Sequence, residues 1–175
     1  MSVDVAIREA AAAYLGWGYR SPAIPARVAE SGPWVPDSVV RRYGESTPAA
    51  TDCCTFVAGV LSRACPGKWP ADAWAQMMIL DAGRPWSTVE CPIGAGVAVA
   101  AAEPEPGRWY VAQGWSGLRL GRVEQGATGH TWLQWGADRI LEASSRAGKV
   151  TWTERAWADQ RRRYDEVRLA HLVIR

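Results

Sequence analysis

Asparagine is absent from this sequence, and histidine occurs only twice. The first absence excludes any catalytic triad that needs an asparagine, and the second leaves two candidates for an imidazole base. The formal net charge of +2 is too small to predict a nucleic-acid partner. No apolar run is long enough to span a membrane. Because no Cys-x-x-Cys or His-x-x-x-His pair occurs, we predict neither a metal site nor a cofactor.

The length of 175 residues predicts a single domain with a substantial core. The chain begins with an acid at Asp4, and no apolar segment typical of a secretory signal follows. We therefore expect a chain that is cytoplasmic as synthesised. The four cysteines do not have the spacing of a disulfide framework, which favours a reducing compartment. Composition and motifs leave the oligomeric state open.

The order of helical and strand patterns predicts an α+β fold. Helical periodicity comes first, a proline-rich segment over residues 20–50 is expected to be irregular, and strands separated by Gly and Pro follow. N-terminal helices packed on an antiparallel sheet of about five to six strands would satisfy this order. The predicted helices are Val3–Leu15, Asp52–Ala64, Asp72–Leu80 and a turn in Glu154–Arg161; the predicted strands are Gly96–Ala101, Arg108–Gln113, His130–Trp135, Arg139–Ala143, Lys149–Thr153 and Glu166–Ile174.

Two adjacent cysteines stand at the predicted start of the second helix, in the segment Thr51–Val57. A thiol in the first turn lies at the positive end of the helix dipole, where the nucleophilic thiolate is favoured. Cys53 and Cys54 differ in direction by about 100° on a helix, so only one of them can point at a given partner. The other would be a small packing residue. Helix geometry alone leaves the choice between them open.

His130 is the better candidate for an imidazole base, because it follows a glycine at the entry to a predicted strand. His171 alternates with apolar residues in the last strand, which is typical of a core or edge position. Glu142 is the leading candidate to orient His130, and Gln134 and Gln113 are alternatives. A hairpin loop of odd length near Gly136 would place His130 and Glu142 on the same side of the sheet, and a two-residue loop would place them on opposite sides.

Three segments resemble the NlpC-type papain-like cysteine peptidases, which include many cell-wall endopeptidases. Asp52-Cys53-Cys54-Thr55-Phe56-Val57 is similar to the family signature Asp-Cys-Ser-Gly-Phe-Val. Gly129-His130-Thr131-Trp132-Leu133 resembles the histidine strand, and Ala13 to Tyr19 resembles a segment that precedes the nucleophile. Glu142 stands where the family usually has a histidine, although the related CHAP amidases use an acid there. The resemblance covers roughly residues 10–150.

This resemblance implies a papain-like fold and a cysteine hydrolase that cleaves amide bonds in peptidoglycan stem peptides. Cys53 would be the nucleophile, His130 the general base and acid, and Glu142 the orienting group. The second oxyanion donor, beside the Cys53 backbone N–H, would be Gln113 or Tyr19. Candidates to line the substrate groove are Trp17, Trp115 and Trp132, although the abundance of tryptophan in the chain favours a packing role for any single one of them. A cell-wall substrate would require delivery of the chain to the wall, for example as a phage or effector protein.

Two other functions remain open at this point. The same fold could move acyl groups between lipids or other small molecules, as an acyltransferase or thioesterase. Alternatively, the chain could be a non-catalytic binding or assembly module, in which case Cys53 would have an ordinary thiol pKa and resist alkylation.

Overall fold

A computed structural model describes residues 3–21, 23, 34–44, 49–64, 68–70, 96–117 and 128–174. This part of the chain contains four helices and ten strands. The helices are α1 (Val3–Ala12), α2 (Asp37–Gly44), α3 (Cys53–Ala64) and α4 (Trp157–Arg161); the strands are β1 (Gly18–Tyr19), β2 (Trp34–Pro36), β3 (Ala50–Thr51), β4 (Lys68–Pro70), β5 (Gly96–Ala100), β6 (Trp109–Ser116), β7 (Thr128–Trp135), β8 (Arg139–Ser144), β9 (Lys149–Glu154) and β10 (Glu166–Ile174).

Eight of these strands form one sheet in the order β3-β1-β9-β8-β7-β6-β10-β5, and β2 pairs with β4 separately. The pairing is antiparallel except between β1 and β3, which are parallel. The predicted α+β class is therefore confirmed. The predicted count of five to six strands is wrong, because β1 and β3 have two residues each and are too short to show an alternating pattern.

One face of strands β6, β7 and β8 is apolar and supports the helices. Val111, Leu133 and Leu141 lie on this face and join one buried cluster with residues of α1 and α3. Phe56, Val57 and Val60 form the apolar stripe of α3 and are fully buried in the same cluster. The helix is thus packed so that its N-terminus, where Cys53 lies, meets the sheet near β7.

Residues that alternate with this set point to the opposite face of the same strands. Ala112, Trp132 and Ile140 form a second buried cluster there with Trp157 of α4. His130 and Glu142 belong to this second face, since each is an even number of residues from Trp132 or Ile140 along its strand.

Two details of the helical predictions need correction. Helix α1 ends at Ala12 instead of Leu15, because Tyr14 and Trp17 continue in turns that lead to β1. The segment 20–50 is not irregular throughout, since it contains α2, whose Val40 is fully buried against the core. The prolines flank this helix and do not interrupt it. The predicted helix Asp72–Leu80, together with Cys65 and Cys91, lies outside the described residues.

The remaining predictions of elements agree with the structure to within a few residues. Strand β10 has the predicted bounds, and α3 begins one residue later than predicted because Asp52 caps it. Among the described residues, no helix has the length and apolar character needed to cross a membrane.

Candidate active site

Asp52 fixes the start of helix α3. Its Oδ1 accepts a hydrogen bond of 2.7 Å from the backbone N–H of Thr55, which is the N-cap interaction expected of an aspartate. Its Oδ2 accepts a second one, of 2.8 Å, from the N–H of Ala23. Burial raises the pKa of Asp52, and the two backbone hydrogen bonds oppose that effect. The acid before Cys53 therefore has a structural role, which is to hold Cys53 in the first helical turn.

Tyr19 reaches the same place from the N-terminal part of the chain. It pairs in parallel with Thr51, two residues before Cys53, and the N–H of Arg20 donates to the carbonyl of Thr51. The N–H of Tyr19 also donates to the carbonyl of Gly148, at 2.8 Å. Burial and the nearby charge of Cys53 raise the pKa of Tyr19, so its hydroxyl stays protonated. A protonated phenol beside Cys53 can donate a hydrogen bond.

His130 and Glu142 are in direct contact. His130 Nε2 lies 2.7 Å from Glu142 Oε2, and Thr153 Oγ1 donates to Glu142 Oε1 at 3.2 Å. The loop between β7 and β8 has three residues, 136–138, and Gly136 has a φ of 54°, a conformation that glycine adopts readily. The expectation that an odd loop length brings the two side chains together is thus confirmed.

Two aromatic rings support the imidazole from the side of the sheet. The ring of Trp132 stacks on His130 with 5.8 Å between centroids, and Tyr164 stacks on Trp132 at 5.6 Å. Gly114 makes this stack possible, because a Cβ atom at that position would collide with the ring of Tyr164. Gly114 is also the β6 partner of His130. The stacked rings therefore hold one side of the imidazole.

The two cysteines have different environments. Cys53 is half-buried and lines a cavity of about 400 Å³ together with His130, Glu142 and Tyr19. Cys54 is buried, and its Sγ lies 3.7 Å from that of Cys53. The Cys54 thiol can therefore donate a hydrogen bond to a Cys53 thiolate. This difference in exposure favours Cys53 as the reactive residue.

The surroundings of Cys53 stabilise its thiolate. The hydrogen bond from Cys54 has the largest effect and lowers the pKa of Cys53. Burial raises this pKa, whereas His130 and the backbone N–H of Thr131 lower it further. Together they lower the pKa of Cys53 to about 4. Free cysteine titrates about four to five pH units higher, so the thiolate dominates at neutral pH.

His130 is correspondingly held in its protonated form. Burial alone would lower the pKa of His130, but the hydrogen bonds and negative charges of Cys53 and Glu142 outweigh it and raise the pKa to about 9. Burial would raise the pKa of Glu142, yet its interactions with His130 lower it, and Arg155 contributes in the same direction. A thiolate, an imidazolium and a carboxylate therefore stand in sequence at neutral pH. Because Nε2 faces Glu142, Nδ1 is the nitrogen that remains for the thiolate.

Three residues expected at the site do not line this cavity, as far as the described residues show. Gln113 and Trp115 are buried in β6 on the face opposite to His130, as their pairing with Thr131 and Gly129 requires. Trp132 is fully buried beneath His130 instead of facing the cavity. Residue type alone makes Gln113 a candidate oxyanion donor, but Gln113 is fully buried and is not among the residues that line the cavity.

Gln134, Trp17 and His171 each have a structural role away from the cavity. Gln134 is buried, and its Oε1 accepts a hydrogen bond from Trp132 Nε1. Its Nε2 donates to the backbone carbonyls of residues 136 and 139, so Gln134 stabilises the hairpin between β7 and β8. Trp17 packs against Tyr14 with 4.6 Å between ring centroids. His171 lies beside Tyr110 of β6, four residues along that strand from the partner of His130.

Several residues of the cavity lining were not expected from the sequence. Three of them are cationic, namely Arg146, Arg155 and Arg163, and Tyr164 is another unexpected residue. The cluster Arg161-Arg162-Arg163-Tyr164 is a visible signal in the sequence, but arginine clusters most often lie on a solvated surface. Among the described residues, no group of three or more His, Cys, Asp or Glu side chains is placed to hold a metal ion.

Comparisons of this chain with protein-family models, with curated proteins and with solved structures found no match. The function therefore has to be inferred from the geometry of the site. Chemically, the site combines an accessible thiolate, an imidazolium proton donor and a carboxylate that holds the imidazole. These are the groups that nucleophilic acyl transfer requires.

Proposed function

We propose that this protein is a cysteine hydrolase that cleaves amide bonds, with Cys53 as nucleophile, His130 as general acid and base, and Glu142 as the residue that orients His130. The observation that carries the proposal is the contact of 2.7 Å between His130 and Glu142 in the cavity that also exposes Cys53. Helix α3 with its N-terminal thiol, packed against a sheet that carries the imidazole, is the arrangement of a papain-like fold, and we propose that assignment as well.

The reaction would begin with attack of the Cys53 thiolate on the amide carbonyl carbon. The carbonyl electrons move to oxygen, and the resulting oxyanion is stabilised by the Cys53 backbone N–H at the helix start and by the hydroxyl of Tyr19. When the C–N bond breaks, the leaving amine takes the proton of His130 and a thioester remains on Cys53. This scheme needs no metal or cofactor.

Hydrolysis of the thioester completes the cycle. Neutral His130 accepts a proton from water, whose oxygen attacks the thioester carbonyl. Cleavage of the C–S bond releases a carboxylic acid and restores the thiolate, while His130 carries the proton again. Glu142 stabilises the imidazolium in both halves of the reaction and fixes its orientation.

Peptidoglycan stem peptides are the substrate class that we propose, on the basis of the resemblance of residues 10–150 to NlpC-type peptidases. The test is to incubate the purified protein with cell-wall fragments and to measure newly released amino groups. Cys53→Ala should abolish the release, and Cys54→Ala, the matched control one residue away, should retain it.

The outcomes of this experiment separate the hydrolase from the other candidate functions. Equal activity of Cys53→Ala and the wild-type protein would overturn the assignment, and loss only in Cys54→Ala would move the nucleophile by one residue. Turnover of acyl thioesters or lipid esters without amide cleavage would favour an acyltransferase. A Cys53 that resists alkylation at neutral pH would favour a non-catalytic module.

A further inference from the structure

The cavity beside Cys53 is lined by more positive than negative side chains. Its arginines are Arg146, Arg155 and Arg163, and Glu142 is the one carboxylate among the described lining residues. Both oxygens of Glu142 are already engaged, by His130 and by Thr153. The thiolate and the imidazolium of the catalytic pair neutralise each other. An excess of positive charge therefore faces any molecule that enters the cavity.

Two of these arginines are held together by a buried glutamine. Gln160 of α4 is fully buried, and its Oε1 accepts hydrogen bonds from Arg155 Nη1 at 2.6 Å and from Arg163 Nη1 at 3.4 Å. Because both neighbours are donors, the amide oxygen must be the atom that faces them. Gln160 thus places two guanidinium groups next to each other although their charges repel.

Neither arginine forms an ion pair within the part of the chain that the structure describes. The arginine ion pairs found there involve other residues, such as Arg161 with Glu103 and Arg162 with Asp159. The charge of Arg155 acts on Glu142 only through space. A guanidinium that is oriented by a buried partner and faces a cavity is suited to bind an anion, since its donors match the geometry of carboxylate and phosphate oxygens.

We propose that Arg155 and Arg163 form an anion subsite that binds a carboxylate of the substrate close to the bond attacked by Cys53. The inference rests on the proposed amide hydrolysis and narrows its substrates to acidic peptides. Arg155 directly follows β9, the strand next to Glu142, and Arg163 precedes Tyr164, which stacks beneath the catalytic histidine through Trp132. A carboxylate bound there would lie on the Glu142 side of the catalytic pair.

Alkylation of Cys53 with two matched reagents tests the subsite without any substrate. Iodoacetate and iodoacetamide each form an S–C bond with the thiolate and release iodide, but only iodoacetate carries a carboxylate. The rate with iodoacetate divided by the rate with iodoacetamide is independent of the nucleophilicity of Cys53, because both reagents react with the same thiolate. The ratio therefore measures how strongly the cavity attracts the anionic reagent. In Arg155→Gln/Arg163→Gln, the ratio should fall by at least about threefold at low salt, and added salt should reduce the wild-type ratio.

Arg161→Gln/Arg162→Gln is the matched control, since it also removes two positive charges from the same short segment. Arg161 and Arg162 contact Glu103 and Asp159 outside the catalytic cavity. The ratio of this control variant should stay within the error of the wild-type value. An unchanged ratio in Arg155→Gln/Arg163→Gln, or an equal fall in Arg161→Gln/Arg162→Gln, would overturn the subsite. The rate with neutral iodoacetamide shows in each case whether the catalytic pair has remained intact.

Protection of the wild-type protein identifies the kind of anion and needs no variant. N-acetylglutamate α-amide, whose one charge is its side-chain carboxylate, should slow alkylation by iodoacetamide, and neutral N-acetylglutamine α-amide should protect at least about threefold less well. Protection by inorganic phosphate alone would contradict a carboxylate subsite, and protection by neither anion would contradict any anion subsite.

The two proposals can fail separately. Amide cleavage with no preference for anionic reagents would contradict the anion subsite and would still support the hydrolase activity. A clear anion preference without cleavage of any acidic peptide would contradict the hydrolase activity. It would also contradict acidic peptides as substrates, while the anion subsite would stand.

Discussion

The two faces of strands β6, β7 and β8 show how the same stretches of sequence serve two purposes. On one face, Leu133 and Leu141 belong to the apolar cluster beneath helix α3. On the other face, one residue away along each strand, Trp132 supports His130 and Glu142 binds it. The first face fixes where the helix start lies, and the second provides the imidazole and the acid. Substitutions on the two faces should therefore affect different properties of the protein.

On the face that carries His130 and Glu142, the largest effect is expected for His130→Ala. Loss of the general acid and base should lower amide cleavage by about 10²–10⁴-fold. Because the hydrogen bond and charge of His130 lower the pKa of Cys53, their removal should raise that pKa and slow alkylation of Cys53 at pH 6. His171→Ala, which changes the other histidine, should alter neither rate. Equal losses in the two variants would contradict the role of His130.

On the face that packs against helix α3, the largest effect is expected for Leu133→Ala. Leu133 is fully buried, so the cavity left by truncation should lower the free energy of unfolding by about 2–5 kcal/mol, as measured by denaturant titration. The pH dependence of Cys53 alkylation should remain that of the wild type, since Leu133 lies on the face away from His130 and Glu142. A changed pH profile at intact stability would show that the two faces are not separable.

Glu142→Gln should change the pH dependence more than the stability. Cleavage by the wild-type protein should rise as the thiolate forms at about pH 4 and fall as the imidazolium loses its proton at about pH 9. The charge of Glu142 raises the pKa of His130, so its removal should move the upper limb to lower pH. On that limb, a pKa of His130 that is lower by about one pH unit reduces the protonated fraction of the imidazole by up to about tenfold. An unmoved upper limb would refute the assigned role of Glu142.

Cys54→Ala should have the smallest effect. It removes the hydrogen bond that contributes most to the low pKa of Cys53, so the lower limb of the profile should move up from about pH 4. Cleavage at neutral pH should change little, because His130 still lowers the pKa of Cys53. Cys54→Ser, which keeps a donor, should restore the position of the lower limb, and failure to do so would argue against the hydrogen bond.

Much of the fold can be predicted from local patterns in the sequence. Helix α3 and the strands from β6 to β10 have strong periodicity and clear end signals, so the predicted positions agree with the structure to within a few residues. Strands β1 and β3 cannot be predicted in this way, because each has two residues and exists only through pairing with distant segments. Helix α2 escapes prediction because the surrounding prolines suggest a loop.

The candidate site likewise combines features that local sequence patterns predict with features that depend on tertiary packing. The start of α3 and the common side of His130 and Glu142 depend on an N-cap, a strand period and a three-residue loop, all of which are short-range features. The selection of Cys53 over Cys54, in contrast, depends on which thiol the packing of α3 exposes. The position of Gln113 is likewise non-local, because its orientation depends on the register of β6 against β7.

Local sequence patterns are sufficient to predict that a thiol stands at a helix start and that a histidine and an acid lie on neighbouring strands. Capping and periodicity act between residues close along the chain, so they can be interpreted without a structure. Packing between distant segments, in contrast, places Tyr19 beside Thr51 and lets Gln160 hold Arg155 and Arg163 at the cavity. These contacts depend on how whole elements pack and, in the case of Gln160, on burial, which no local pattern specifies.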